Sequence, residues 1–168
     1  MKLKLNINNK FYNTNIDGDE YLLDILRKIG FKSVKKGCDT GTCGVCSVLI
    51  KGKPTLSCQF LAARAQNVKI ITVEGLGKKA DKIVDLIVSE GADQCGYCGP
   101  SLVLTTYAMK KELKNPTVEK INHYLAGNLC RCSGYEGQLR GIKKYMGVKW
   151  WNLEKLTIQS QKLMEEVY

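Results

Sequence analysis

No apolar run in this sequence approaches the ~18 residues that suggest a membrane span, so no spanning helix is expected. The start, Met1-Lys2-Leu3-Lys4-Leu5-Asn6-Ile7, lacks the apolar core of a secretory signal. It alternates like a strand, which argues against a transit peptide as well. Histidine is almost missing. His123 stands alone, and on a helix over 117–127 it falls away from the face of Val118, Ile121 and Leu125. That placement suits a solvated or interface residue rather than a metal ligand. The formal net charge is +10, yet no long basic run or aromatic-studded stripe accompanies it. The charge reads as a solvated Lys-rich surface, and no nucleic-acid partner is expected. There is no internal repeat.

Cysteine is what the chain has in excess. Eight cysteines without a secretory signal point to metal binding in a reducing compartment, taken as the cytoplasm, rather than to a disulfide framework. They fall into two sets. Cys38, Cys43, Cys46 and Cys58 follow C-x4-C-x2-C with a distant fourth cysteine, the plant-type spacing for a [2Fe-2S] cluster. Three thiolates must be carried around one side of such a cluster by a short loop. Gly37, Gly41 and Gly44 let that loop curl and bring N–H groups toward the sulfurs. Cys95-Gly96-Tyr97-Cys98 is weak by itself, because CxxC serves zinc, thiol redox and iron–sulfur sites alike. Its companion, Cys130-Arg131-Cys132, is an unusual spacing for structural zinc. Two such pairs, brought from two helix ends, would clamp a second binuclear cluster.

Composition is ordinary for a soluble protein with a core, at 44% hydrophobic and 25% charged residues. Lys2–Ile7 and Lys10–Ile16 read as a hairpin across Asn8-Asn9. Tyr21–Ile29 carries Leu22, Leu23, Leu26 and Ile29 at helical spacing, stopped by Gly30. Ser47–Ile50 and Pro54–Cys58 form a second hairpin that returns Cys58 to the loop, and Val68–Val73 is a last strand. Gly75 to Lys79 reads as a linker. Beyond it the pattern is helical: one helix with Ile83, Val84, Ile87 and Val88, one from Pro100 to Leu113, one capped by Thr117, and one over 137–146. The expected fold class is therefore α+β. A β-grasp, plant-ferredoxin-like domain (1–76) precedes a four-helix bundle domain (77–147) and a C-terminal extension (148–168). In that extension Trp150-Trp151, Leu153, Leu156, Leu163 and Val167 suit an amphipathic helix that docks on a partner subunit.

The chain closely resembles the two-cluster iron–sulfur subunit of the molybdenum hydroxylases, the xanthine dehydrogenase and aldehyde oxidoreductase family. Gly37 to Cys46, Cys58, Gln94-Cys95-Gly96-Tyr97-Cys98 and Gly127-Asn128-Leu129-Cys130-Arg131-Cys132-Ser133-Gly134-Tyr135 carry the resemblance, in order and spacing, across residues 1 to about 146. It implies two [2Fe-2S] clusters, the one on Cys95, Cys98, Cys130 and Cys132 lying nearer the molybdenum. It also implies that Gln94 and Cys132 hydrogen-bond the molybdopterin cofactor, which a large partner subunit mainly holds. FAD is implied on a medium subunit, and the complex as a dimer of heterotrimers. The chain departs from the family at Gly99-Pro100-Ser101 and at Ser133, positions that ligate no iron. The implied reaction hydroxylates a carbon centre with oxygen from water, and this subunit passes electrons singly toward flavin or another acceptor. The substrate stays open among purines, other aromatic N-heterocycles, aldehydes, carbon monoxide and aromatic thioesters, with a purine preferred. Arg131 reads equally as a charge that tunes the second cluster or as a partner-facing one. The rival readings are a free-standing two-cluster ferredoxin and a zinc-scaffold or nucleic-acid module.

Overall fold

The structure is a computed structural model and describes residues 1–148. The expected docking helix of the extension lies outside the described residues.

Strand β1 (Lys2–Ile7) buries Leu3, Leu5 and Ile7 and exposes Lys2 and Lys4, as its period-two pattern requires. Asn8 and Asn9 both take positive φ, 53° and 64°. That geometry makes the tight two-residue hairpin into β2 (Lys10–Asn15), which pairs antiparallel with β1. The second strand stops one residue short of the expected end, and Ile16 turns inward to 3% exposure. Helix α1 (Leu22–Lys28) buries Leu22, Leu23, Ile25 and Leu26.

Strands β3 (Ser47–Ile50) and β4 (Lys53–Leu56) form the second hairpin. Its turn is Lys51-Gly52, with φ of 51° and 86°. The fifth strand, β5 (Lys69–Ile71), is shorter than expected. Its continuation is taken up by a side chain: Thr72 N donates to Asn8 Oδ1 at 3.0 Å, and Asn8 Nδ2 donates to Thr72 Oγ1 at 2.8 Å. The chain then turns into a 3-10 segment, Val73–Leu76. The five strands form one mixed sheet in the order β2-β1-β5-β3-β4, with β5 parallel to β1 and antiparallel to β3.

The Gly75–Lys79 stretch is compact rather than an extended linker. Leu76 is buried, and α2 (Lys78–Val88) begins two residues later. Ile83 and Ile87 of α2 face the core, whereas Val84 and Val88 are 40% and 48% exposed. Helix α3 (Gly99–Glu112) is buried over every residue from Ser101 to Thr106, which explains its lack of a polar face. Helix α4 (Val118–Leu125) is capped by the Thr117 side chain, as expected, and His123 on it is exposed. Helix α5 (Glu136–Met146) packs closely on α2, where Gly141 lies against the Leu86 carbonyl. Glu90 fastens these two helices by ion pairs to Arg140, at 2.7 Å, and to Lys144. Two apolar clusters result, one under the sheet and α1, the other among α2–α5. Leu49 of β3 belongs to the second and ties it to the sheet. The architecture is α+β.

Candidate metal centres

The first set of thiols sits on the loop between α1 and β3 and on a 3-10 turn just after β4. Gly41 and Gly44 adopt φ of 70° and 74°, so the loop can double back on itself. The return arm delivers Cys58 as expected: Cys46 Sγ and Cys58 Sγ lie 3.3 Å apart. Ser57 fastens that junction, its hydroxyl donating to Cys46 O at 2.7 Å. Cys38 and Cys43 form the other pair through a side-chain contact. The Cys43 backbone N–H and thiol, helped by the Thr42 and Thr40 N–H groups, hold the Cys38 thiol down at about 6. Burial pushes Cys46 up to about 11 and raises Cys43.

The second set is built from one helix start and one loop, not from the two helix ends expected. Cys98 precedes α3, whose first turn contains Pro100, and Cys130 and Cys132 lie on the loop from α4 to α5. Cys132 Sγ lies 3.5 Å from Cys95 Sγ, and Cys98 contacts Cys130. Ser133 serves Cys130 twice, with its hydroxyl at 3.2 Å from the sulfur and its N–H at 3.4 Å. Burial works against the Cys130 thiolate, but these bonds outweigh it and hold the thiol at about 7. Burial drives Cys98 up to about 11, while an amide bond from Gln138 Nε2, 3.6 Å from its sulfur, pulls the other way. The Tyr97 N–H lowers Cys95, and contact with Cys95 raises Cys132.

All eight thiols are free, and they are gathered in twos. Among the described residues no three His, Cys, Asp or Glu side chains gather as a single-ion site would require. A [2Fe-2S] cluster takes two thiolates on each iron, so two close pairs in each half are the donor set that fits it.

The two thiol loops also dock on each other. Leu129 N donates to Cys43 O at 3.0 Å. A Cβ on Gly44 would stand 2.0 Å from Gly127 O, so only glycine permits this approach. Tyr97 OH reaches Lys36 O at 2.7 Å, and Lys35 Nζ lies over the Tyr97 ring, 4.6 Å from its centre. Arg131 lines the cavity of about 330 Å³ that contains Cys43 and all four thiols of the second set. Gln94 is exposed and lines an adjoining, largely apolar cleft that shares the four cysteines of the second set and adds Val84, Val88 and Gln138.

A "2Fe-2S iron-sulfur cluster binding domain" family matches residues 6–99, and a "[2Fe-2S] binding domain" family matches residues 72–143. The small FeS subunit of nicotinate dehydrogenase from Eubacterium barkeri is 40% identical over 136 residues, covering 79% of this chain and 87% of that one. The iron-sulfur-binding subunit of xanthine dehydrogenase from Escherichia coli O157:H7 is 44% identical over 119 residues, 68% and 75% of the two chains. The chain belongs to the iron–sulfur subunits of the molybdenum hydroxylases. A solved chain of this family, in quinoline 2-oxidoreductase from Pseudomonas putida 86, superposes with a TM-score of 0.81 at 34% identity, covering 88% of this chain and 93% of that one. Against the family motifs, Ser133, Tyr97 and the Leu129 N–H acquire contacts that the spacing did not assign. Gln138 was missed altogether. Its signal was a polar residue four before Ile142, on the apolar face of α5.

Proposed function

We propose that Cys38, Cys43, Cys46 and Cys58 hold one [2Fe-2S] cluster and that Cys95, Cys98, Cys130 and Cys132 hold a second. The supporting observation is that each set of four thiols is gathered as two close pairs. Each cluster, when bound, takes up and releases one electron. The chain itself positions the thiolates, screens them and fixes the spacing between the two sets. The Leu129 N–H to Cys43 O bond does the last of these, since Leu129 adjoins Cys130. The separate apolar clusters support a ferredoxin-like domain over 1–76 and a four-helix domain over 77–147, docked through these loops.

As an iron–sulfur subunit of a molybdenum hydroxylase, the chain carries electrons and binds no substrate. We place the molybdopterin on a large partner subunit at the cleft beside Gln94 and Cys132, both of which are exposed next to the second thiol set. That exposure favours the subunit over a free carrier, which needs no such contact. FAD belongs to a medium subunit, and the assembly is a dimer of heterotrimers. Among the described residues no helix is long and apolar enough to cross a membrane, and eight free thiols suit the reducing cytoplasm. Relatives named for nicotinate, xanthine and quinoline support an aromatic N-heterocycle as substrate of the whole complex, and relatives named for aldehyde oxidoreductase make an aldehyde the second reading.

Metal and sulfide analysis of the native complex, with EPR after dithionite reduction, tests the assignment. It requires about four irons per copy of this chain and two distinct S = 1/2 signals, with molybdenum in the same preparation. Zinc without iron, and no EPR signal, would overturn it.

A further inference from the structure

Gln138 is a polar side chain in an apolar setting. It lies on the first turn of α5, 6% exposed, four residues before the fully buried Ile142. Burying an amide among apolar groups is unfavourable unless it is hydrogen-bonded, so its partner decides why it is there. The bond found for that amide runs from Nε2 to Cys98 Sγ, 3.6 Å away. Sulfur accepts at such a length.

We propose that Gln138 sets the potential of the second cluster by donating an N–H···S hydrogen bond to the Cys98 sulfur. The inference rests on the two-cluster assignment above. Reduction adds one electron, and with it one unit of negative charge shared among the sulfurs. An N–H dipole aimed at a ligating sulfur stabilises that charge, so it favours the reduced form and raises the potential. Burial of the Gln138 amide strengthens the effect, because the local dielectric is lower there than in water. Gln138 is thus a positioning residue for electron acceptance at the second site. The first site has a weaker counterpart. Gln59 Nε2 lies 3.7 Å from Cys58 Sγ, but that bond is exposed, and water can replace the donor if it is lost.

The experiment is an EPR-monitored redox titration of the purified complex carrying Gln138→Met, Gln138→Glu or Gln59→Met. Methionine keeps an unbranched side chain of similar length and removes the donor. Losing the buried bond should change the ratio of reduced to oxidised cluster about tenfold at a fixed ambient potential, a midpoint about 59 mV lower for one electron. One of the two signals moves and the other stays. Gln138→Glu, which removes the donor and adds negative charge beside the sulfur, moves the same signal further down. Gln59→Met moves the other signal, and by less. With nitrogen-15 in the glutamine amides, the Gln138 protein shows a nitrogen coupling on the same signal that disappears in Gln138→Met. Unchanged midpoints at full iron content, or both signals moving together, would overturn the proposal. Two signals missing from the unsubstituted complex would instead remove the cluster assignment on which it stands.

Discussion

Gly44→Ala is the substitution that most directly separates backbone strain from steric contact. Gly44 has φ of 74°, and its control in kind, Gly52, also has a positive φ, of 86°. A Cβ on Gly52 would meet nothing within 4 Å, whereas one on Gly44 would stand 2.0 Å from Gly127 O and 3.3 Å from Asn128 Cα. Both substitutions place an L-residue in the left-handed region, which costs about 1–2 kcal/mol. Only Gly44→Ala adds an overpacked contact against rigid backbone, about 1–3 kcal/mol. The loops must part by roughly 1 Å to relieve it, at ordinary van der Waals separations. That movement takes the neighbouring Leu129 N–H to Cys43 O bond, now 3.0 Å, beyond hydrogen-bonding range, for about 1 kcal/mol more. The difference between the two variants is therefore about 3 kcal/mol. At roughly 2–4 °C per kcal/mol for a chain of this size, Gly44→Ala should melt about 6–12 °C below Gly52→Ala. Thermal unfolding of the iron-loaded proteins, followed by circular dichroism, measures it. Equal melting temperatures would refute the claim that the two thiol loops meet at a contact only glycine allows.

The Glu90 ion pairs make a pH-dependent prediction. Lys144 first, then Arg140, hold the Glu90 carboxyl below its ordinary 4.5. A carboxyl depressed in the folded state lends stability above its unfolded value and loses it as pH falls through the folded one. Glu90→Gln should thus lower the melting temperature by a few degrees at pH 7, and the gap to the parent protein should close below about pH 4.5. A gap that widens in acid would count against the ion pairs as the tie between α2 and α5.

The hairpins and α1 were legible because their signals are local. Period-two alternation and a two-residue turn at Asn8-Asn9 or Lys51-Gly52 specify pairing without help from the rest of the chain. The end of β5 was not legible, because it is set by the Asn8 side chain, 64 residues away, bonding Thr72 in place of a strand partner. The thiol sets were legible for the opposite reason to most long-range features. Ligand spacing reflects what a cluster needs from a loop, so the motif announces its geometry even when the loops are far apart in sequence. Gln138 shows the limit. Its position on the inward face of α5 could be counted out from Ile142, but its acceptor, Cys98, lies forty residues back. The compact Gly75–Lys79 stretch shows another. Its composition resembles a linker, yet Leu76 finds a buried place only when α2 and the sheet are both present.

The two thiol sets are shielded unequally, and that asymmetry bears on how the subunit works in a complex. In the first set Cys46 is 3% exposed and Cys38, Cys43 and Cys58 are half-buried, flanked by their own loop, by β3 and by the arm that returns Cys58. The second set leaves Cys95 and Cys132 exposed, beside Gln94 and next to Val84 and Val88. An iron–sulfur site open to water has its potential set partly by solvent and is accessible to oxidants. A chain that lines this opening with apolar side chains and an exposed glutamine is shaped to be closed by another surface. Gln138 meets the same cleft from its buried floor, through its bond to Cys98. On the proposed reading, a partner surface covers the opening that this chain leaves beside its second thiol set. Because Gln138 is only 6% exposed, its substitution changes the sulfur environment while the exposed residues of the cleft, Gln94, Val84 and Val88, keep their identity.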